Sequence, residues 1–200
     1  QLSNKFKNGA IVVHTSGCFE HTIIPPSDNI VRASLHPAVS CPTVPEAEIA
    51  LANAHYALEG EQPALAPLAN LVSSIGGSSF VLKDIDKPLY HAATVFCSNF
   101  IIALLSTAEQ ILKELKVKEP QRVTVKLAKT AIEQAEKIGV KDALTGPLIR
   151  RDLNTLNKHL NSLNCNDSEL YKKLSLYLVK IARSRGVDDD TVNVMEQLFR

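Results

Sequence analysis

The 200-residue chain lacks three features that mark common functional classes: an excess of charge of one sign, paired cysteines and a long apolar run. Its 22 Lys and Arg residues nearly balance its 21 Asp and Glu residues, so no long-range field favours nucleic acid or an anionic membrane surface as partner. The four cysteines form no C-x-x-C pair, which favours a reducing, cytoplasmic setting over secretion. The longest apolar run, residues 92–105, is shorter than the roughly 20 residues of a membrane span.

Several chemical motifs are missing as well. No two of the eight glycines have G-x-G spacing, so these residues contain no glycine-rich turn of the kind that cradles dinucleotide phosphates. A G-x-S-x-G elbow is absent, and no histidine spacing is typical of a metal site, so no metal is predicted. The chain begins at Gln1 without a signal-peptide pattern or an initiator Met, and we interpret it as a fragment or a processed product.

Strand and helix patterns alternate in the first part of the chain. The stretch 62–75 has apolar residues at a helical period and stops at Gly76-Gly77. A strand, a helix of this length and another strand predict a right-handed βαβ crossover and a mostly parallel sheet. The predicted strands are 10–14, 29–35, 55–58 and 79–82.

Strand patterns end near residue 84, and helical patterns follow one another to the C-terminus. We therefore predict an α/β domain over residues 1–84 and an all-helical domain over residues 85–200. The first two helices carry enough Leu, Ile and Val to build a large isologous interface between two copies. The predicted helices are 87–117, 121–138, 147–163, 168–185 and 191–198.

A polar stripe runs along the first of these helices. Lys87, His91, Thr94 and Ser98 fall within an arc of about 60° at the helical period. Since apolar residues surround them, we predict that the helix is buried, with Cys97 in its core, and that a polar ligand such as a substrate meets the stripe.

Lys87 stands at the start of this helix, after Asp86 as a predicted N-cap. The positive end of the helix dipole and partial burial should both lower the pKa of its ammonium group, which suits proton transfer to and from a substrate. Two alternatives remain open: Lys87 as an exposed residue of the first turn, and His91 as a buried imidazole bonded to its neighbours.

Two predicted strands end in a histidine followed by a turn. His14 leads into Thr15-Ser16-Gly17, and His36 is followed by Pro37. In a parallel sheet the carboxyl ends of the strands meet at one edge, where ligands bind, so we predict a site that joins these ends to Lys87. The alternative is that both histidines are bonded to loop backbone.

A second polar group lies in the motif ALTGPLIRRD (143–152). Arg150 and Asp152 fall in the first turns of the predicted helix 147–163. We predict that Arg150 binds a substrate carboxylate and reaches the Lys87 site. A helix cap with a solvated ion pair is the alternative.

Five motifs together resemble one family. They are VVHTSG (12–17), SLHP (34–37), GG (76–77), KPLYHAA (87–93) and ALTGPLIRRD (143–152). The family comprises Rossmann-like oxidoreductases with an uncharacterised helical C-terminal domain, similar in layout to pyrroline-5-carboxylate reductase, ketopantoate reductase and the β-hydroxyacid dehydrogenases. The resemblance implies the rear half of a Rossmann-like parallel sheet followed by a helical dimerisation domain of the 6-phosphogluconate-dehydrogenase C-terminal type, with the first βαβ portion upstream of Gln1.

The same resemblance implies a homodimeric oxidoreductase that uses NADP or NAD and acts on a small carbonyl or imine compound. Lys87 would be the general acid/base, with His91 assisting; His91 departs from the Asn that the hydroxyacid dehydrogenases have one turn after their Lys. Arg151 likewise stands where a small residue is usual. The implied substrate-binding residues are Thr94, Ser98, Asn99, Arg150 and Asp152, and the implied cofactor-binding residues are His14, Thr15, Ser16, Gly17, His36 and Pro37.

Two other functions remain open from the sequence. One is a binding or sensing protein that keeps the nucleotide-domain architecture without catalysis. The other is a helical module whose role is dimerisation.

Overall fold

A computed structural model describes residues 5–40, 43–83 and 86–200. The chain forms two compact units, residues 1–102, which contain the sheet, and residues 103–200, which are helical. Residues 87–102 of the first predicted helix belong to the first compact unit, and the rest of that helix belongs to the second. The domain boundary at residue 84, which divides the chain by fold type, stays a prediction.

The four strands form one mixed sheet in the order β1-β2-β3-β4. The first two strands pair in parallel, the middle two are antiparallel, and the last two are parallel. All four predicted strands are therefore present, each within two residues of its predicted ends. Their bounds are β1 Ala10–His14, β2 Ile30–Pro37, β3 His55–Gly60 and β4 Ser78–Val81.

Two of the three strand pairings are parallel, whereas the antiparallel pairing of β2 with β3 makes the sheet mixed and corrects the expectation that all the strand ends meet on one side of it. An unpredicted helix, α1 (Val44–Ala52), follows β2 and spans only about 14 Å. The chain then returns to the end of the sheet where β2 finished, because Ala38 N donates to His55 O at 2.8 Å. Consequently β3 and β4 run opposite to β1 and β2. The carboxyl end of β4 therefore lies on the opposite side of the sheet from the carboxyl ends of β1 and β2.

The predicted crossover between β3 and β4 is confirmed. Helix α2 (Gln62–Ser74) joins these two parallel strands. Its residues Ala64 and Leu68 form a buried cluster with Ala33 and Leu58 of the sheet. Burial of these apolar side chains fixes α2 against the sheet, at about 25 cal/mol per Å² of apolar surface removed from water.

The predicted helix 87–117 is divided at Ser98 into α3 (Lys87–Cys97) and α4 (Asn99–Glu114). Ser98 has φ −126° and ψ −75°, and its hydroxyl donates to Thr94 O at 2.8 Å. Such a side-chain bond to the preceding turn competes with regular helix geometry. The predicted N-cap is confirmed, since the Asp86 carboxylate accepts from Leu89 N at 3.0 Å.

The expectation that this helix is buried is wrong. Lys87 is the only buried residue of α3, and Cys97 is exposed. Phe96 and Ile102 are 66% and 65% exposed. By length and composition alone, the stretch Lys87–Glu114 would suffice to cross a membrane. It is therefore a large exposed apolar surface, of the kind that marks a contact with another molecule.

The second unit is built around a helical core. Its central side chains are Leu156, Val179, Val192, Met195 and Phe199, all at most 2% exposed. Its helices are the part of α4 from Ala103 onward, α5 (Pro120–Ile138), α6 (Leu153–Ser162), α7 (Cys165–Ser184) and α8 (Asp189–Phe199).

Helix α6 begins six residues later than the predicted helix 147–163. Arg151 has φ +60°, a left-handed conformation that a helix cannot contain. The Asp152 carboxylate then caps α6 by accepting from Thr155 N at 3.0 Å. The motif around Arg150 is consequently a tight turn before a helix.

Candidate active site

Lys87 is buried completely, with 0% of its surface exposed. Its Nζ donates to Ser16 O at 3.1 Å and to the Ser34 hydroxyl, which itself donates to Ser16 O at 3.3 Å. Both acceptors are neutral, and within residues 5–40, 43–83 and 86–200 the ammonium group forms no ion pair. Burial lowers the pKa of Lys87, as predicted, and the alternative of an exposed lysine is wrong.

Three acidic groups act against this shift, in decreasing order Glu59, Cys18 and Glu20. Glu59 lies opposite Ser34 in the β2–β3 pairing, and its carboxylate raises the pKa of Lys87 without outweighing burial. Glu59 is itself paired with His21, whose backbone N–H donates to its Oε2 at 2.7 Å and whose Nδ1 contacts its Oε1. This His21–Glu59 pair was not predicted, because the two residues lie 38 positions apart and in no shared motif.

His36 and His91 meet beside Lys87. Their ring centroids are 5.9 Å apart in an edge arrangement. His36 Nδ1 lies 2.9 Å from the Tyr90 hydroxyl oxygen. Burial lowers the pKa of His36, and the charges of His91 and Lys87 lower it further. Tyr90 was missed by the sequence reasoning, although it stands three residues after Lys87 and therefore on nearly the same helix face.

The route by which these groups meet differs from the prediction. The strand ends do not all lie at one edge, because β4 runs opposite to β1 and β2. Instead, α3 runs alongside β2: Lys87 contacts Ser34, and one turn later Tyr90 contacts His36. The helix thus brings its polar stripe back to the carboxyl ends of β1 and β2.

A cleft of about 680 Å³ opens along this stripe. Thr94 and Ser98 line it, although both hydroxyls donate to helix carbonyls, at 2.8 Å in each case. Within the described residues, no carboxylate lines the cleft. The lining side chains are His36, Ala38, Val39, Ser40, Tyr90, His91, Ala93, Thr94, Val95, Cys97, Ser98 and Asn99.

The loop after β1 lies against the two histidines. Gly17 is buried, and a Cβ at its position would fall 2.6 Å from His91 Cδ2 and 2.7 Å from His36 Nε2. Only glycine permits this approach without displacement of an imidazole. Ser16 shapes the turn, since its hydroxyl accepts from Cys18 N at 3.2 Å.

His14 forms hydrogen bonds to the backbone of its own loop, which is the alternative that the sequence left open for it. Its Nδ1 accepts from Ser16 N at 3.2 Å, so its Nε2 carries the proton and donates to Glu20 O at 3.1 Å. Both ring nitrogens are therefore used inside the loop. Thr15 is exposed, and Pro37 lies at the end of β2 opposite Tyr56.

Arg150 and Asp152 lie in the second unit. Asp152 caps α6 through Thr155, which lowers the pKa of its carboxyl. Arg150 is exposed and forms no ion pair among the described residues. Arg151, its neighbour, pairs with Asp188 at 3.4 Å. A role for Arg150 and Asp152 in substrate binding stays a prediction.

The sequence pattern of a family described as a domain of unknown function (DUF2520) matches residues 54–178, more than half of the chain. The chain belongs to the DUF2520 family. The matched region contains Lys87, Tyr90, His91 and Arg150. No curated protein matches the chain significantly.

The solved structures that are similar to this DUF2520 chain include two from bacteria. Protein TM1727 from Thermotoga maritima is 29% identical, with a TM-score of 0.78 over 88% of this chain and 70% of that one. The "putative NADP oxidoreductase BF3122" from Bacteroides fragilis is 22% identical, with a TM-score of 0.67 over 84% of this chain and 64% of that one. The chain spans about two thirds of the length of these structures and shares their fold over that length.

Proposed function

We propose that this chain forms the substrate-side part of an NAD(P)-dependent oxidoreductase that acts on a small carbonyl or imine compound. The observation that carries the proposal is the Lys87 ammonium group, buried with two neutral acceptors beside a cleft lined by histidines. The name of the Bacteroides fragilis structure and the shared fold support it.

Lys87 is the proposed general acid/base. A proton donor works best when its pKa lies near the working pH, and burial moves the pKa of Lys87 in that direction. No part of this side chain is exposed, so proton transfer to a ligand requires movement of the 15–17 loop, whose Ser16 carbonyl contacts Nζ. His91, one turn along α3, lies in the cleft lining and is proposed to orient the substrate.

The residues present fit only one end of a nicotinamide nucleotide. Thr15 offers a polar group for the ring end next to Lys87 and His36 Nε2 offers one for a substrate oxygen beside that ring, while His14 is engaged within its loop. The described residues contain no glycine-rich turn to hold the phosphates. When bound, the nucleotide supplies or accepts the hydride.

We also propose that the protein is a homodimer through a helical domain of the 6-phosphogluconate-dehydrogenase C-terminal type. The exposed apolar side chains of α4 and α5 support this, since monomers rarely leave such surfaces open. The most exposed on α5 is Leu127, at 72%.

Sedimentation equilibrium at micromolar concentration tests the dimer. We expect a dimer for the wild type and a monomer for Leu127→Glu, because a carboxylate in an apolar interface loses its hydration. Val140→Glu is a control of similar exposure, at 74%, outside the helices. A wild type that sediments as a monomer would show the dimer proposal to be wrong.

The oxidoreductase proposal is tested with the complete natural protein. Oxidation of NADPH and of NADH is followed with a panel of 2-oxo acids, 3-oxo acids and cyclic imines, and we expect turnover of at least one compound. Nucleotide binding without turnover across the panel would instead support the non-catalytic binding protein. Failure to bind either nucleotide would exclude both functions.

A further inference from the structure

We infer that Tyr90 is a positioning residue that holds His36 in the tautomer protonated on Nε2. In this form His36 presents an N–H donor to an oxygen atom of a ligand in the cleft. The identity of that ligand as a carbonyl substrate rests on the proposed function, whereas the tautomer itself does not.

The two nitrogens of His36 have different surroundings. Nδ1 lies 2.9 Å from the Tyr90 hydroxyl oxygen, whereas Nε2 has no hydrogen-bond partner among the described residues. No buried polar side-chain atom in the described part of the chain lacks a partner, so Nε2 must be accessible from outside the protein. Since His36 lines the cleft, Nε2 is the ring nitrogen available to a ligand.

The direction of the Tyr90–His36 bond decides the tautomer. A neutral imidazole has one donor and one acceptor nitrogen. Burial raises the pKa of the Tyr90 phenol and lowers that of His36, which keeps both groups neutral. A phenol is a stronger acid than a neutral imidazole, and the imidazole nitrogen is the better acceptor. The Tyr90 hydroxyl therefore donates to Nδ1, and the His36 proton resides on Nε2.

The packing around Tyr90 keeps this bond in place. Its ring lies edge-on to His36, with centroids 5.6 Å apart, and contacts Phe80 with centroids 6.2 Å apart. The charged or titratable groups that act on His36 are His91 and Lys87, together with the bonded Tyr90. None is a carboxylate, so nothing among them favours a charged imidazolium over the neutral tautomer.

The space beside Nε2 is kept open by Gly17. A Cβ there would fall 2.7 Å from Nε2 and would obstruct this nitrogen. An N–H donor in a cleft with no described carboxylate selects an electronegative partner, such as a carbonyl or carboxylate oxygen, over an ammonium group.

Nitrogen-15 NMR of the histidine side chains, at neutral pH and in the complete natural protein, tests the inference. We expect His36 to carry its proton on Nε2 in the wild type and to lose this fixed preference in Tyr90→Phe. We also expect the KM for the carbonyl substrate to rise roughly tenfold in Tyr90→Phe, because one well-oriented hydrogen bond is lost. His36 protonated on Nδ1 in the wild type, or unchanged signals in Tyr90→Phe, would overturn the inference.

Two further variants separate positioning from general damage. Tyr177→Phe removes an exposed hydroxyl in the second unit and should leave the His36 signals unchanged. His36→Gln retains an amide donor near the Nε2 position. Adding Tyr90→Phe to this variant should therefore raise the KM no further. The NMR measurement does not require turnover. An inactive protein would therefore contradict the proposed reaction, whereas the NMR signals would still show which tautomer His36 adopts.

Discussion

Replacing Lys87 with methionine is expected to abolish turnover while leaving the fold at least as stable as in the wild type. Loss of a general acid lowers kcat by about 10²–10⁴-fold. Removal of a buried charge with no ion-pair partner should raise the free energy of unfolding by about 1–2 kcal/mol, since apolar replacements of buried charges are often neutral or stabilising. Both Nζ hydrogen bonds are lost in the variant, but Ser34 still donates to Ser16 O, so the Ser16 carbonyl keeps a partner.

The lowered pKa of Lys87 also predicts how the stability of the wild type changes with pH. Because burial lowers the pKa of Lys87 in the folded state, the unfolded chain binds more protons between the folded and unfolded pKa values. Stability from this group is therefore present above the unfolded pKa and is lost as the pH falls through the folded pKa. We expect the difference in stability between Lys87→Met and the wild type to shrink as the pH rises through this range.

Thermal and urea unfolding of both proteins measure the effect. Lys83→Met, which removes an exposed lysine four residues away, is the matched control and should change stability by less than about 0.5 kcal/mol. A Lys87→Met protein clearly less stable than the wild type would mean that the lysine serves mainly to pin the Ser16 loop.

Replacing Gly60 with alanine is expected to destabilise the protein by about 3–5 kcal/mol. Gly60 has φ +149°, and an added Cβ would lie 2.6 Å from both the Ala33 Cα and the Arg32 carbonyl oxygen. Both atoms belong to the backbone of β2 and cannot move aside without breaking the β2–β3 pairing. Backbone strain and overpacking therefore add.

Gly139→Ala separates these two causes. Gly139 also has a positive φ, of 89°, but no atom lies within 4 Å of the position that a Cβ would take there, so only backbone strain of about 1–2 kcal/mol is expected. Urea unfolding compares the two variants. Equal losses of stability would contradict the steric explanation for Gly60.

The strands and most helices were predictable because their signals are local. Runs such as 10–14 and the helical period of 62–75 depend only on neighbouring residues. The direction of β3 was not predictable, since it depends on where α1 returns the chain, and α1 itself has a weak apolar period. The break at Ser98 likewise depends on one side-chain bond that no pattern distinguishes.

The candidate site was predictable to a similar extent. Lys87 followed from its place after an N-cap at the head of a polar stripe, and the structure buries it. Tyr90 could not be recognised, because its role depends on the distance between α3 and the end of β2. For His14, both ring nitrogens are bonded within its own loop, and its cofactor-binding role stays a prediction.

The carbonyl of Ser16 receives hydrogen bonds from Lys87 and Ser34 together, and this links chemistry to motion. A charged donor forms a stronger hydrogen bond than a neutral one. The neutral amine of Lys87 therefore binds the Ser16 carbonyl more weakly than the ammonium group does. If Lys87 donates its proton during the reaction, its hydrogen bond to the Ser16 carbonyl weakens in the same step, and the 15–17 loop is held less tightly.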